Sequence, residues 1–177
     1  LAERGDMAGA EVLHRSVLAD RERVLGEDHP STAVSLMNLA TVVSANGELD
    51  EARSLTQRAL EIYQKKAGAN SAETGQAHHQ LGEILRRINR VNESIPHLER
   101  ALHVFRGAVG DLHATTLQCM DVLAEALTDA GDHVRAEVVL RERLTVLEKA
   151  LPPEHPSLGP ALTALARAAG RLGKPDE

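Results

Sequence analysis

The chain has 177 residues, a formal net charge of −6 and 42% hydrophobic residues, a composition too apolar for a disordered protein. The acidic balance argues against a nucleic-acid partner, and no apolar run approaches the roughly 20 residues that a membrane helix needs. Cys119 is the single cysteine, which excludes a disulfide framework and a cysteine metal site, and a reducing, cytoplasmic setting is expected.

The first predicted element lies in residues 1–24, which we interpret as the end of one helix, a turn at Gly5 and then a second helix. A glycine just past a helix end readily adopts the left-handed conformation that other residues avoid. Ala10 and Leu18 supply a small and a large apolar residue on that second helix. The segment is therefore predicted to be the later part of a helix pair.

A complete helix pair is predicted between residues 25 and 66. Pro30 suits the first turn of a helix, because its φ is fixed and it has no N–H to leave without a partner. Apolar residues then recur at helical spacing through residues 34–43, and Gly47 ends this first helix. The second helix begins near Leu49.

This helix pair recurs along the chain. Leu25-Gly26 returns as Ala67-Gly68 and Val109-Gly110, and 67−25 and 109−67 both equal 42. Positions separated by multiples of 42 residues are called equivalent positions below. Each first helix carries a leucine and a small residue at equivalent positions: Leu39-Ala40, Leu81-Gly82, Leu123-Ala124 and Leu165-Ala166. A small side chain at a helix crossing allows two helices to approach closely.

The turn between the helices of a pair is also repeated. Its equivalent positions are Gly5, Gly47, Asn89, Gly131 and Gly173. Asparagine is one of the few residues that adopt the same left-handed conformation as glycine. No stretch alternates with period two, so we predict an all-α chain with complete units at 25–66, 67–108 and 109–150, flanked by partial units at 1–24 and 151–177.

The order of bulky and small residues within a unit resembles the tetratricopeptide repeat. In the first complete unit this order is Leu36, Leu39-Ala40, Val43, Gly47, Ala52 and Ala59. The segment Leu-Gly-Glu-Asp-His-Pro-Ser-Thr at residues 25–32 resembles the longer repeats of kinesin light chain and of many bacterial sensor proteins. Four residues depart from the pattern: His78 lies in a bulky apolar position, Arg143 lies in a small one, and Ala72 and Ala114 replace the proline at the helix start. The resemblance implies a single right-handed superhelical solenoid of antiparallel helix pairs over residues 1–177.

The resemblance also implies a function, namely a scaffold that holds a protein or peptide ligand in a concave groove lined by the first helices. The residues expected to face that groove are Met37, Asn38, Thr41, His79, Gln80, Glu83, Arg86, Arg87, Asp121, Glu125, Arg167 and Arg171. Asn38 stands where family members grip the ligand backbone. Because charges of both signs alternate on this face, a ligand of mixed charge is expected.

No constellation of catalytic residues is found in the sequence. A glycine-rich phosphate loop and a His-Glu-x-x-His pair are both missing. His29, His113 and His155 occupy equivalent positions just before a first helix, and we interpret them as turn and capping residues rather than as metal ligands. Cys119 shares its position with small residues and is interpreted as a helix contact rather than a nucleophile. We therefore expect no enzyme activity, cofactor or metal.

A second hypothesis is a regulatory or oligomerising helical arm of a bacterial signalling or transcription-regulatory protein. Leu162, Leu165 and Ala166 lie on the last predicted helix, which has no following helix to pack on them. An apolar face without a partner tends to find another one. Weak self-association of the chain is therefore expected.

Overall fold

The computed structural model describes the backbone of residues 2–172 and the side chains of residues 9–170. This part of the chain consists of eight helices and contains no strand, in agreement with the all-α prediction. The helices are α1 (Ala2–Leu25), α2 (Pro30–Ala45), α3 (Leu49–Lys66), α4 (Ala72–Arg87), α5 (Val91–Val109), α6 (Ala114–Asp129), α7 (His133–Ala150) and α8 (Leu158–Leu172). Each helix packs on its neighbours in sequence, so the pairs α2–α3, α4–α5 and α6–α7 stack into a solenoid. Helices α2, α4, α6 and α8 are the first helices, and the others are the second helices.

The start of the first helices is capped by side chains. Three histidines accept the N–H of the residue two positions later with Nδ1: His29 from Ser31 at 3.1 Å, His113 from Thr115 at 3.3 Å and His155 from Ser157 at 3.2 Å. The interpretation of these histidines as capping residues is thereby confirmed. In α4 the hydroxyl of Ser71 takes this role and accepts from the N–H of Thr74 at 3.1 Å.

In α2, α4 and α6 a buried threonine one turn further on ties the helix to the preceding turn. The hydroxyls of Thr32, Thr74 and Thr116 donate to the carbonyls of Gly26, Gly68 and Gly110, at 2.8 Å in all three units. Because these threonines are completely buried, the hydrogen bonds are shielded from water. They fix the angle at which each first helix leaves the second helix before it.

The turns inside the helix pairs have the predicted left-handed backbone, with φ of 92° at Gly47, 62° at Asn89 and 80° at Gly131. The predicted turn at Gly5 is wrong, because Gly5 lies inside α1. A single glycine costs a helix only about 1 kcal/mol relative to alanine, and residues 2–4 before it are good helix formers. Gly173 lies outside the described residues.

A close helix crossing lies in the second pair, where α4 meets α5. A Cβ atom added to Gly82 would lie 2.6 Å from Cγ of Leu98, which is a clash. The hydroxyl of Ser94 donates to the carbonyl of Gly82 at 2.7 Å. The small residues that the sequence places at this crossing therefore allow direct contact between the two helices, as predicted.

The third pair departs from this close packing. Arg143 of α7 occupies a position that is alanine in the first two complete units, as Ala59 and Ala101. Its side chain is mostly buried, and its Nε lies 2.8 Å from Oδ1 of Asp121 on α6. Because a guanidinium replaces a methyl group between the helices, α6 and α7 pack less closely than α4 and α5.

Ion pairs join the second helices of successive units. Arg15 of α1 lies 2.5 Å from Glu51 of α3, and Glu22 of α1 lies 2.9 Å from Arg58 of α3. Between α5 and α7 the equivalent positions carry the opposite charges, as Glu99 with Arg135 and Arg106 with Glu142. The positions are equivalent because 99−15 and 106−22 both equal 84, which is two periods of 42. We call these four pairs the charge ladder.

Candidate partner-binding groove

The first helices are tied together along one face of the solenoid. Nε2 of Gln80 on α4 donates to the hydroxyl of Thr41 on α2 at 3.0 Å. Arg87 of α4 donates to both the hydroxyl and the carbonyl of Ser44 on α2, at 2.5 and 3.0 Å. These three hydrogen bonds fix the position of α4 relative to α2.

The next tie along this face runs from α4 to α6. The guanidinium of Arg86 lies 2.8 Å from a carboxylate oxygen of Glu125 and 3.1 Å from one of Asp129. Arg86 and Arg87 are adjacent in sequence but reach in opposite directions, one towards α6 and one towards α2. Both arginines therefore hold successive units together as well as lining the face.

A groove of about 460 Å³ lies on this face across α2, α4 and α6. Its walls are formed by Thr41, Ser44, Ala45, Gln76, His79, Gln80, Glu83, Ile84, Arg87, Phe105, Thr115 and Gln118. We call this the first groove. Ile84 and Phe105 are buried and form an apolar base, while the exposed amides of Gln76 and Gln118 stand at the rim.

A second groove of about 430 Å³ lies further along, across α4, α6 and α8. It is lined by Arg86, Asp121, Ala124, Glu125, Thr128, Asp129, Leu140, Ala164, Arg167 and Ala168. Most of its polar groups are charged, in contrast to those of the first groove. Burial raises the pKa of Asp121, and the neighbouring Arg143 guanidinium opposes that rise.

His79 lies in the wall of the first groove and is mostly buried. Its Nδ1 is 3.6 Å from a carboxylate oxygen of Glu83, and its ring centre is 6.1 Å from that of Phe105. Burial lowers the pKa of His79, and the negative charge of Glu83 works against that change. The neutral ring is therefore favoured, and it presents a flat, weakly polar surface beside the apolar base.

The structure places nine of the predicted residues in the two grooves. Thr41, His79, Gln80, Glu83 and Arg87 line the first groove, and Arg86, Asp121, Glu125 and Arg167 line the second. Asn38 is exposed on α2, one turn before Thr41 and just outside the groove wall. The side chain of Arg171 lies outside the described residues.

Met37 does not face the groove. It is 8% exposed and belongs to the apolar cluster that joins α1 to α4. The physical reason is that neighbouring residues on a helix point about 100° apart. Asn38 faces solvent, so Met37 turns its apolar chain towards the adjoining helices, where burial is favourable.

Four polar lining residues of the first groove were missed by the sequence reasoning: Ser44, Gln76, Thr115 and Gln118. Gln76 and Gln118 were detectable, because they occupy equivalent positions and share the exposed side of their helices. Ser44 carried no such signal, since its role depends on Arg87 of the next unit. Contacts between units are not visible in the pattern of a single unit.

The described residues offer neither a metal site nor a reactive thiol. Within residues 9–170, no three His, Cys, Asp or Glu side chains come close enough to share a metal ion. Cys119 is completely buried, and burial raises the pKa of its thiol to about 12. Its Sγ lies 3.5 Å from the carbonyl of Leu98, as expected of a helix contact. None of the described helices combines the length and low charge that a bilayer span requires.

A sequence profile of the tetratricopeptide repeat matches residues 1–65 and 73–149, which is most of the chain. The chain belongs to the tetratricopeptide repeat family. The nearly identical kinesin light chain TPR-like repeats of Podosopora anserina have the same fold, with a TM-score of 0.89 and 26% identity over 97% of this chain and 81% of that one. This likeness confirms the predicted repeats of the kinesin light chain type.

Curated relatives are much longer than this tetratricopeptide repeat chain. The clustered mitochondria protein homolog of Meyerozyma guilliermondii is 30% identical over 116 residues, which are 66% of this chain and 9% of that protein. The regulatory protein AfsR of Streptomyces griseus is 30% identical over 152 residues, covering 71% of this chain and 15% of that protein. The chain thus spans about a tenth of the length of the curated relatives it matches.

Proposed function

We propose that this tetratricopeptide repeat chain is a non-catalytic scaffold that binds an extended segment of another protein in the first groove. The observation that carries the proposal is the pair of exposed amides at equivalent positions of the groove wall, Gln76 on α4 and Gln118 on α6, with the exposed amide of Asn38 just outside the wall on α2. A carboxamide both donates and accepts hydrogen bonds, so it can pair with peptide groups of any sequence. The family in general is a protein-interaction scaffold, which agrees with this reading. A cytoplasmic setting, expected from the single cysteine, belongs to the same proposal.

The charges around the first groove define the ligand further. Glu83 and Arg87 are its two charged lining residues apart from the titratable His79. One carboxylate and one guanidinium suit a segment carrying both signs of charge rather than a uniformly acidic or basic one. The buried Ile84 and Phe105 at the base favour one apolar ligand side chain between these charges.

The test uses peptides selected from a random display library on the immobilised chain, with binding then measured by fluorescence anisotropy. Changing Asn38, Gln76 and Gln118 together to alanine is expected to weaken binding by at least about tenfold, since each lost hydrogen bond contributes about 0.5–1.5 kcal/mol. The melting temperature should stay unchanged, because all three side chains are exposed. Arg87→Ala is a poor probe, because it also removes the contacts with Ser44.

Gln64→Ala is the matched control, since Gln64 is an exposed glutamine on the second helix α3. Peptides that bind the triple variant as tightly as the parent, or that lose binding in the Gln64 variant instead, would show that the first groove is not the site. Failure to enrich any peptide over a scrambled library would count against peptide binding as a whole.

A regulatory or oligomerising arm is the second candidate function, and exposed leucines on α8 and α1 favour it within the part of the chain that the structure describes. Leu162 of α8 is 51% exposed, although its equivalents Leu36 and Met120 are buried against the following second helix. Leu13 of α1 is 63% exposed, although its equivalent Leu55 is buried in the core. The exposed faces of α8 and α1 therefore correspond to the two surfaces that meet inside a helix pair, such as those of α2 and α3. The similarity to the regulatory protein AfsR supports the same reading.

We expect these two exposed faces to produce weak head-to-tail association between copies of the chain. Light scattering should show an average mass that rises with concentration, and Leu162→Glu should abolish the rise because it places a charge on the α8 face. Leu112→Glu is the control, since Leu112 is 52% exposed in the turn between α5 and α6. A constant monomer mass at every attainable concentration would contradict the expectation.

A further inference from the structure

Two histidines meet in the middle helix pair where the other pairs have apolar residues. His78 of α4 and His97 of α5 are equivalent to Leu36 and Leu55, because 78−36 and 97−55 both equal 42. Leu36 and Leu55 are buried in one apolar cluster of the first pair. In the third pair the equivalents are Met120 and Val139, which also share one cluster. Both sides of this one contact are thus changed to histidine in the second pair.

The two rings face each other through their Nδ1 atoms, which lie 2.9 Å apart. The ring centres are 5.1 Å apart, and the ring planes are inclined by 38°. A hydrogen bond at this distance requires one Nδ1 to carry a proton and the other to accept it. When both rings are doubly protonated, two N–H groups and two positive charges face each other without an acceptor. The contact therefore depends on the protonation state of the pair.

We propose that the His78–His97 pair is a proton-sensitive joint, which holds α4 on α5 near neutral pH and loosens when both rings are protonated. His78 is 8% exposed, so a positive charge on it is poorly solvated. The carbonyl of Gly82, one turn further along α4, is already bonded to Ser94. Separation of the two rings would therefore also disturb the closely packed contact between Gly82 and Leu98.

Charged and titratable side chains from α3, α4 and α5, and the thiol of Cys119 on α6, surround the pair. On α5, Arg100 disfavours a charge on His78, and Glu93 favours one on His97 although it is also bound by Arg90. Helix α3 contributes Arg53 and Arg58 to the shallow cavity that His97 borders. Helix α6 presents the buried, neutral thiol of Cys119 to α5, and α4 itself adds the His79–Glu83 pair one residue further on. Arg58 is paired with Glu22 and Arg53 with Asp50, so Arg100 is the positive charge that bears most directly on His78.

The direction of the pH effect follows from these surroundings. Burial lowers the pKa of His78 to about 4, with His97 and Arg100 adding to the shift, and burial also lowers the pKa of His97. An unfolded histidine has a pKa of about 6.5, so below that pH the unfolded chain binds more protons than the folded chain. The stability contributed by the neutral pair is complete above about pH 6.5 and is lost as the pH falls towards about 4.

The first experiment needs no variant. NMR titration of the histidine ring protons of the full chain, in the presence of a metal chelator, should show two rings whose pKa values lie well below the roughly 6.5 of an unfolded histidine. Two pKa values at or above about 6.5 for His78 and His97 would overturn the proposal. The chelator ensures that a bridging metal ion does not imitate the effect.

The second experiment uses hydrogen exchange, corrected for its intrinsic pH dependence. Between about pH 7 and about pH 5, amide protection in α4 and α5 is expected to fall by about tenfold or more, while α2 and α3 keep theirs. The double variant His78→Leu/His97→Leu, which copies Leu36 and Leu55, should lose this difference, and His103→Gln should keep it. An unchanged pH response in the double variant would overturn the proposal. If that variant does not fold, His78→Met, which copies Met120, answers the same question.

Discussion

Replacing Leu81 with alanine is expected to lower the free energy of unfolding by about 2–5 kcal/mol. Leu81 lies in the middle of α4 and is 2% exposed, within the apolar cluster shared by α1, α2, α3 and α4. The substitution removes buried methyl groups and leaves a cavity, because the hydrogen bonds from Gln80 and Arg87 to α2 prevent α4 from collapsing into it. Equilibrium unfolding in urea should show a lower midpoint with an unchanged slope.

Leu112→Ala is the matched control for this prediction. Leu112 is 52% exposed in the turn between α5 and α6, so its truncation should change stability by less than about 0.5 kcal/mol. Equal unfolding midpoints for the two variants would show that Leu81 is not part of a cooperative core. A smaller slope for the Leu81 variant would instead show that the pairs unfold separately, as repeat proteins sometimes do.

Gly82→Ala is expected to destabilise the chain by about 1–3 kcal/mol, although alanine is the better helix former by about 1 kcal/mol. The new methyl group would lie 2.6 Å from Cγ and 2.7 Å from Cδ2 of Leu98. Leu98 is completely buried, so it has no free volume into which to move. The helices must separate, which also lengthens the hydrogen bond from Ser94 to the carbonyl of Gly82.

The sign of the effect is tested with Gly107→Ala. Gly107 lies in α5 with no atom within 4 Å of the added methyl group, so the gain in helix propensity should stabilise the chain by about 0.5–1 kcal/mol. Both variants are measured by the same urea unfolding. If Gly82→Ala also stabilised the chain, the close crossing of α4 and α5 would be refuted. Adding Leu98→Val to Gly82→Ala should recover part of the loss, since it removes one of the clashing carbons.

The sequence predicts the fold well because each unit repeats the same local signals. Asn89 is an example, since its place in the series of turn glycines was enough to predict its left-handed backbone. Gly5 shows the limit of this argument. The same position in the period gives a turn only where the two flanking helices pack on each other, and good helix formers around Gly5 continue the helix instead.

The groove is less predictable than the fold, because the positions of its side chains depend on contacts with neighbouring units. Met37 and Asn38 differ by one residue, and only the packing of adjacent helices decides which of them is buried. The same holds for Arg86 and Arg87, which contact different units. Polar residue type predicted exposure for Thr41, but no pattern within one unit specifies partners in the next.

The charge ladder has a consequence for the order in which the units are arranged. If α7 stacked directly on α1, Arg15 would face Arg135 and Glu22 would face Glu142. If α3 followed α5, Glu99 would face Glu51, and Arg106 would face Arg58. Each pair changes free energy by only about 0–1 kcal/mol, but the sign reverses at both positions of a wrong junction. The units have similar apolar cores, but the charges on their second helices specify which unit follows which. An array with the units in another order is therefore disfavoured by repulsion between like charges.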